Sequence, residues 1–102
     1  MSDDSPISQL LDIMRRLRDP QKGCPWDRAQ DYRSLAPYTL EEASEVIDVI
    51  ERGDLGALRD ELGDLLFQVV FLSQLAQEEG RFDFQAVAAA IARMDGALGT
   101  QG

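Results

Sequence analysis

Four acidic side chains are spaced so that they can act together. Glu42 and Glu45 lie three residues apart, as do Glu61 and Asp64; on helices, each pair shares one face about one turn apart and can grip an ion from one side. Gly53-Asp54 between them reads as a turn, so the flanking helices must fold back as an antiparallel hairpin. Glu45 and Glu61 each stand eight residues from Gly53, and Glu42 and Asp64 each stand eleven. Equal distances mean equal heights, roughly 12 and 16 Å above the turn at about 1.5 Å per residue. The face bearing Glu42 and Glu45 also carries Val46 and Val49, and the one bearing Glu61 and Asp64 carries Leu65, Gln68 and Leu72. The acids therefore border apolar stripes rather than a fully solvated side.

Converging, partly desolvated carboxylates repel one another and hold raised pKa values unless a positive charge sits among them. Histidine is absent and Cys24 is the single cysteine, so His-activated nucleophiles, His-based zinc and a four-thiolate site are excluded. Oxygen-only ligands favour Mg²⁺ or Mn²⁺, and one or two such ions suit the activation of water and the neutralisation of a polyphosphate. A carboxylate outside the ligand set, Glu41 or Asp60, is a candidate base. The competing reading is an ordinary solvated acidic face, with Arg52 and Arg59 neutralising part of the set.

The 102 residues make one domain with a modest core, which makes a partner subunit plausible. With 19 acidic against 10 basic side chains the net charge is −9, which disfavours nucleic-acid partners and requires a cation to bridge any phosphate ligand. The opening MSDDSPISQL has no basic stretch followed by an apolar run, and no segment approaches the roughly 20 apolar residues of a membrane span. The expectation is a cytoplasmic protein without membrane contact.

Four helices are predicted to position the acids. The first covers about 6–18, with Ser5 as cap, Pro6 in the first turn and Ile13 off the apolar stripe. Residues 19–34 read as an ordered loop with at most one short helical turn; there Trp26 either plugs the end of the helical core or forms a wall for a ligand base. The second helix spans about Leu35–Arg52, its most apolar side formed by Leu40, Ala43, Ile47 and Ile50, with Gly53 as its stop. Asp54 is expected to cap a third helix reaching Glu79, apolar around more than half its circumference and therefore buried or shared with a second subunit. Asp83 caps a short fourth helix over about 84–94, and 95–102 reads as a flexible tail. Phe67, Phe71, Phe82 and Phe84 are expected in core or subunit contacts, and Cys24 as a packing residue.

These residues resemble a known family. Glu41-Glu42-Ala43-Ser44-Glu45 and Glu61-Leu62-Gly63-Asp64 look like the EExxE and ExxD signature of the MazG nucleotide pyrophosphohydrolases, in the all-α NTP pyrophosphatase superfamily. Arg16-Leu17-Arg18-Asp19-Pro20, Gly23-Cys24-Pro25-Trp26-Asp27, Ala36-Pro37-Tyr38-Thr39-Leu40 and Glu79-Gly80-Arg81-Phe82-Asp83 extend the likeness over about residues 7–92. The resemblance implies a single MazG-like domain, core about 6–94, that dimerises into a helical bundle and hydrolyses NTPs or dNTPs to the monophosphate and pyrophosphate in a house-cleaning or stress role. It assigns Glu42, Glu45, Glu61 and Asp64 as Mg²⁺ ligands, Trp26 as a base contact, and Lys22, Arg28 and Arg33 as phosphate contacts. The likeness to full-length relatives ends after helix four, where they continue into a basic, His-containing stretch. The alternative reading is therefore a non-catalytic dimerisation or nucleotide-sensing module.

Overall fold

Ser5 opens the first helix, its side chain accepting the Ser8 N–H at 3.2 Å, with Pro6 at the first helical position where an N–H has no partner in any case. The computed structural model describes residues 5–98, and the elements among them are α1 (Pro6–Leu17), α2 (Pro25–Arg28), α3 (Tyr32–Glu51), α4 (Leu58–Glu78) and α5 (Phe84–Leu98). The fold is all-α, with α3 and α4 forming the antiparallel hairpin and α1 and α5 packed against α4. Among the described residues, no helix is long and apolar enough to cross a membrane.

Three helix boundaries differ from expectation, each for a local reason. α3 starts at Tyr32, not Leu35, because Asp31 and Ser34 cap each other: Ser34 N donates to Asp31 Oδ1 and Asp31 N to Ser34 Oγ, both at 2.8 Å. Pro37 thus lies inside the helix, and the Arg33 carbonyl loses the N–H it would otherwise receive. Asp54 does not cap α4; residues 54–57 form a turn closed by the Ala57 N–H on the Asp54 carbonyl at 3.1 Å, and α4 starts at Leu58. α5 begins as expected, Asp83 Oδ1 accepting the Ala86 N–H at 2.9 Å, but runs to Leu98, since a single Gly96 does not stop a helix rich in alanine. Residues 99–102 of the expected tail lie outside the described residues.

Gly53 and Gly80 end α3 and α4 in the same way. Both have φ +73°, a value that a side chain disfavours. The left-handed residue lets Asp54 N reach the Val49 carbonyl and Arg81 N the Ala76 carbonyl, each at 2.9 Å.

The core lies at one end of the hairpin. Met14, Leu35, Val70, Phe71 and Leu75 are its buried members, with Ile7, Leu10, Leu11, Phe67, Leu72 and Phe84 packed around them. Phe71 is fully buried and meets Phe67 edge-on, with ring centroids 6.0 Å apart. Phe71→Ala is expected to cost about 3–5 kcal/mol. The fall in the chemical denaturation midpoint measures it, and an unchanged midpoint would contradict this account of the core.

The apolar side assigned to the second helix faces solvent instead. Leu40 is 70% exposed, Ile47 56% and Ile50 52%, while the side that meets α4 carries Leu35 and Val49. On α4, Leu62 and Leu66 are exposed too. At about 100° per residue in two antiparallel helices, these side chains leave the hairpin on one face, turned away from Glu45 and Asp64. The Cα radius of gyration is 15.6 Å, against about 13 Å for a compact chain of this length. The chain is elongated because the turn end of the hairpin stands clear of the core.

Candidate functional site

α3 and α4 bring all four sequence-assigned acids together. One carboxylate oxygen each from Glu42, Glu45, Glu61 and Asp64 can be chosen so that all lie within 4.8 Å of one another. Glu42 and Glu61 are half-buried and Asp64 is exposed. Glu42 Oε2 and Glu61 Oε2 are buried without a hydrogen-bond partner, an arrangement that is costly unless something else satisfies them.

The electrostatics have one sign. Burial pushes the Glu42 carboxyl above its ordinary range, and the charges of Glu45, Asp64 and Glu41 add to that. Glu61 is raised first by hydrogen bonding to the Glu45 carboxyl, then by burial and by the charges of Glu45, Asp64 and Glu42. The arginines that might have neutralised the cluster are engaged elsewhere: Arg52 Nε pairs with Asp48 Oδ2 at 3.0 Å and Arg59 Nε with Asp60 Oδ1 at 3.5 Å. Arg52 and Arg59 therefore do not neutralise the cluster, and no cation of the described residues is among the charges acting on Glu42 or Glu61. An all-oxygen donor set with two orphaned buried oxygens fits a hard divalent cation.

Packing holds the acids in place. Thr39 Oγ1 lies 3.1 Å from the buried Gln68 Oε1, bridging α3 to α4 one turn beyond the Glu42–Asp64 level. At the far end Tyr32 OH donates to Glu79 Oε1 at 2.9 Å, fixing the start of α3 to the end of α4. The hairpin is thus pinned on the core side of the cluster, and its register is set by two polar bridges as well as by apolar packing.

Trp26 does not plug the core. It is 50% exposed and packs edge-on against Tyr38, with centroids 5.8 Å apart and planes at 77°. Tyr38 precedes Glu42 by four residues, so the two share a face of α3 at a rise of about 6 Å. An aromatic pair therefore stands one turn from the acids, half open to solvent. Glu41, the candidate base, is exposed, and its charge reaches Glu42. Asp60, the other candidate, is exposed and paired with Arg59.

Lys22, Arg28 and Arg33 are exposed, and none forms an ion pair among the described residues. The Lys22 and Gln21 N–H groups hold the Asp19 carboxyl below its usual range, with Arg28 adding a smaller electrostatic pull. The structure places Lys22 and Arg28 before α3 and Arg33 in its first turn, and puts none of them among the charges acting on Glu42 or Glu61.

Residues 30–94 match the model of the MazG nucleotide pyrophosphohydrolase domain. The chain belongs to that family. It is 65% identical over 85 residues, 83% of its length, to a nucleoside triphosphate pyrophosphohydrolase of Escherichia coli K12. A Thermotoga maritima protein named nucleoside triphosphate pyrophosphohydrolase/pyrophosphatase MazG is 46% identical over 79% of the chain, and a Mycobacterium tuberculosis nucleoside triphosphate pyrophosphohydrolase 36% over 74%. The chain spans 32%, 31% and 23% of these three relatives. The MazG match includes both acid pairs as well as Tyr38, Thr39 and Gln68. Sequence reasoning had assigned no role to Tyr38, whose only signal was its place four residues before Glu42. It likewise gave none to Arg18, which appeared only inside the Arg16-Leu17-Arg18-Asp19-Pro20 motif.

Proposed function

We propose that this chain is a catalytic MazG module that hydrolyses nucleoside triphosphates, NTP or dNTP, to the monophosphate and pyrophosphate with Mg²⁺ held by Glu42, Glu45, Glu61 and Asp64. The observation that carries the reading is the convergence of four carboxylates with two orphaned buried oxygens and, among the described residues, no cation acting on Glu42 or Glu61. Family membership and the names of the relatives support the same reaction.

In this reading Mg²⁺, or Mn²⁺ in its place, supplies Lewis acidity and neutralises the triphosphate. The chain's own residues do the rest. The acid quartet fixes the ion to one end of the hairpin. Glu41, exposed beside Glu42, accepts the proton of the attacking water as that water adds across the α–β phosphoanhydride bond. Trp26 and Tyr38 offer an aromatic wall to the base one turn away, and Lys22 and Arg28 from the segment before α3, with Arg33 from its first turn, meet the phosphates. The exposed Leu40, Ile47, Ile50, Leu62 and Leu66 face supports a second copy of the chain as partner, in a homodimer or a higher homo-oligomer. A cytoplasmic house-cleaning or stress role goes with this chemistry.

With Mg²⁺ the purified protein is expected to release pyrophosphate from at least one member of a panel of NTPs and dNTPs that includes dUTP and oxidised or deaminated bases. Glu61→Ala and Asp64→Ala should abolish the release. No pyrophosphate from any member would sink the proposal, and nucleotide binding without turnover would instead assign a sensing module.

A further inference from the structure

We propose that Arg18 is a positioning residue for substrate binding: it clamps the Trp26 loop to the hairpin and so holds the Trp26 ring against Tyr38. The inference rests on the assignment of Trp26 as a base contact in the preceding section. It concerns a residue remote from the acids, immediately after α1.

The Arg18 side chain is 11% exposed and spends its donors on two elements at once. Nε and Nη2 form a paired contact with Glu78 at the end of α4, at 3.0 Å to Oε2 and 2.5 Å to Oε1. Nη1 points to three backbone acceptors at and just after the end of α2, the carbonyls of Asp27 at 2.7 Å, Arg28 at 3.1 Å and Gln30 at 3.2 Å. The guanidinium also stands 6.0 Å from the centroid of the Phe71 ring, in the core. These three carbonyls belong to the segment that includes α2, and α2 carries Trp26. Trp26 is half-exposed and meets Tyr38 edge-on, so the ring's position depends strongly on what holds its backbone. Gln30 ties the same turn internally, its Nε2 donating to the Trp26 carbonyl at 2.9 Å. Arg18 therefore sets where the aromatic wall stands relative to the acids without reaching them.

A planar guanidinium can serve a carboxylate and a row of carbonyls together; a lysine ammonium, with three donors around one point, cannot. Arg18→Lys keeps the charge and loses the clamp. Glu78→Gln is the milder companion, keeping a hydrogen-bonding side chain at the anchor. Trp26 is the only tryptophan, so its fluorescence reports the loop alone. Pyrophosphate release with Mg²⁺ should show KM raised about tenfold in Arg18→Lys, the scale of one lost charge-assisted bond, with kcat within about twofold. Glu78→Gln should shift KM the same way by less. Acrylamide quenching of Trp26 should rise in both, while Arg15→Lys, on an exposed pair with Asp12, changes neither reading. Wild-type KM and quenching in a folded Arg18→Lys protein would overturn the proposal, as would a fall in kcat at constant KM. Trp26 emission that ignores saturating nucleotide in the wild type would refute the base contact itself. Even then, unchanged quenching in both variants would separately refute the clamp.

Discussion

Glu61→Gln is expected to abolish pyrophosphate release and, without divalent ions, to make the protein more stable. The two effects have one cause. Glu61 carries a carboxyl raised above its ordinary value, hydrogen-bonded to Glu45 and surrounded by Asp64 and Glu42. In the metal-free chain the charged form is disfavoured by folding, so between the ordinary carboxylate value and the raised one the folded state holds more protons than the unfolded. Stability is then full below the ordinary value and is lost as pH rises through the raised one. A neutral amide of the same shape removes one repelling charge, so the metal-free melting temperature near neutral pH should rise by a few degrees and vary less with pH. The wild type should recover stability on adding Mg²⁺, and the variant should recover much less. Activity should fall by more than about 100-fold, because changing even the groups that orient metal ligands costs about 10–100-fold. Thermal melts with and without Mg²⁺, run beside the turnover assay, check both halves. A variant that melts lower than the wild type in chelator would refute the claim that the cluster is strained by like charge.

The second large effect concerns the exposed apolar face. Ile47 and Leu40 are 56% and 70% exposed in one chain, so Leu40→Glu with Ile47→Glu should cost an isolated chain little. In a two-fold dimer each substitution enters the interface twice. An unpaired buried charge costs about 3 kcal/mol or more, so the pair of changes should weaken association by at least about 100-fold. Analytical ultracentrifugation should find the wild type as two or more copies and the variant as one. The variant should also melt lower, since the turn end of the hairpin then lacks cover. A wild-type chain that sediments as one copy at high concentration would end the dimer proposal.

The acid quartet was legible because it needs only the helical period and equal distances from Gly53, and both survive the structure's revision of where α4 begins. The loop at 54–57 changed the helix boundary, but the acids still meet. The start of α3 was hidden because its cap pairs Asp31 with Ser34, where a glutamate would have been the usual signal. The stripe at Leu40, Ile47 and Ile50 was visible as a stripe, yet periodicity states only that a face is apolar and not what covers it; the α4 contact went to the side bearing Leu35 and Val49. Trp26 was left between two surfaces because a lone aromatic in a loop carries no information about which one it meets, and only the structure removes the core plug. Arg18 was unreadable for a stronger reason: Glu78 lies 60 residues away, and its other acceptors are backbone carbonyls, which no residue type announces.

α4 runs from the acids at its first turns to the core at its last ones, with Phe71, Leu75 and Ala76 buried only in the second half. The acid cluster and the apolar core are thus carried by different lengths of one rod. Substitutions at Glu61 or Asp64 can therefore change the charge of the cluster without opening a cavity in the core, and substitutions at Met14 or Val70 do the reverse. The hairpin can therefore carry change at its acid end and at its packed end independently.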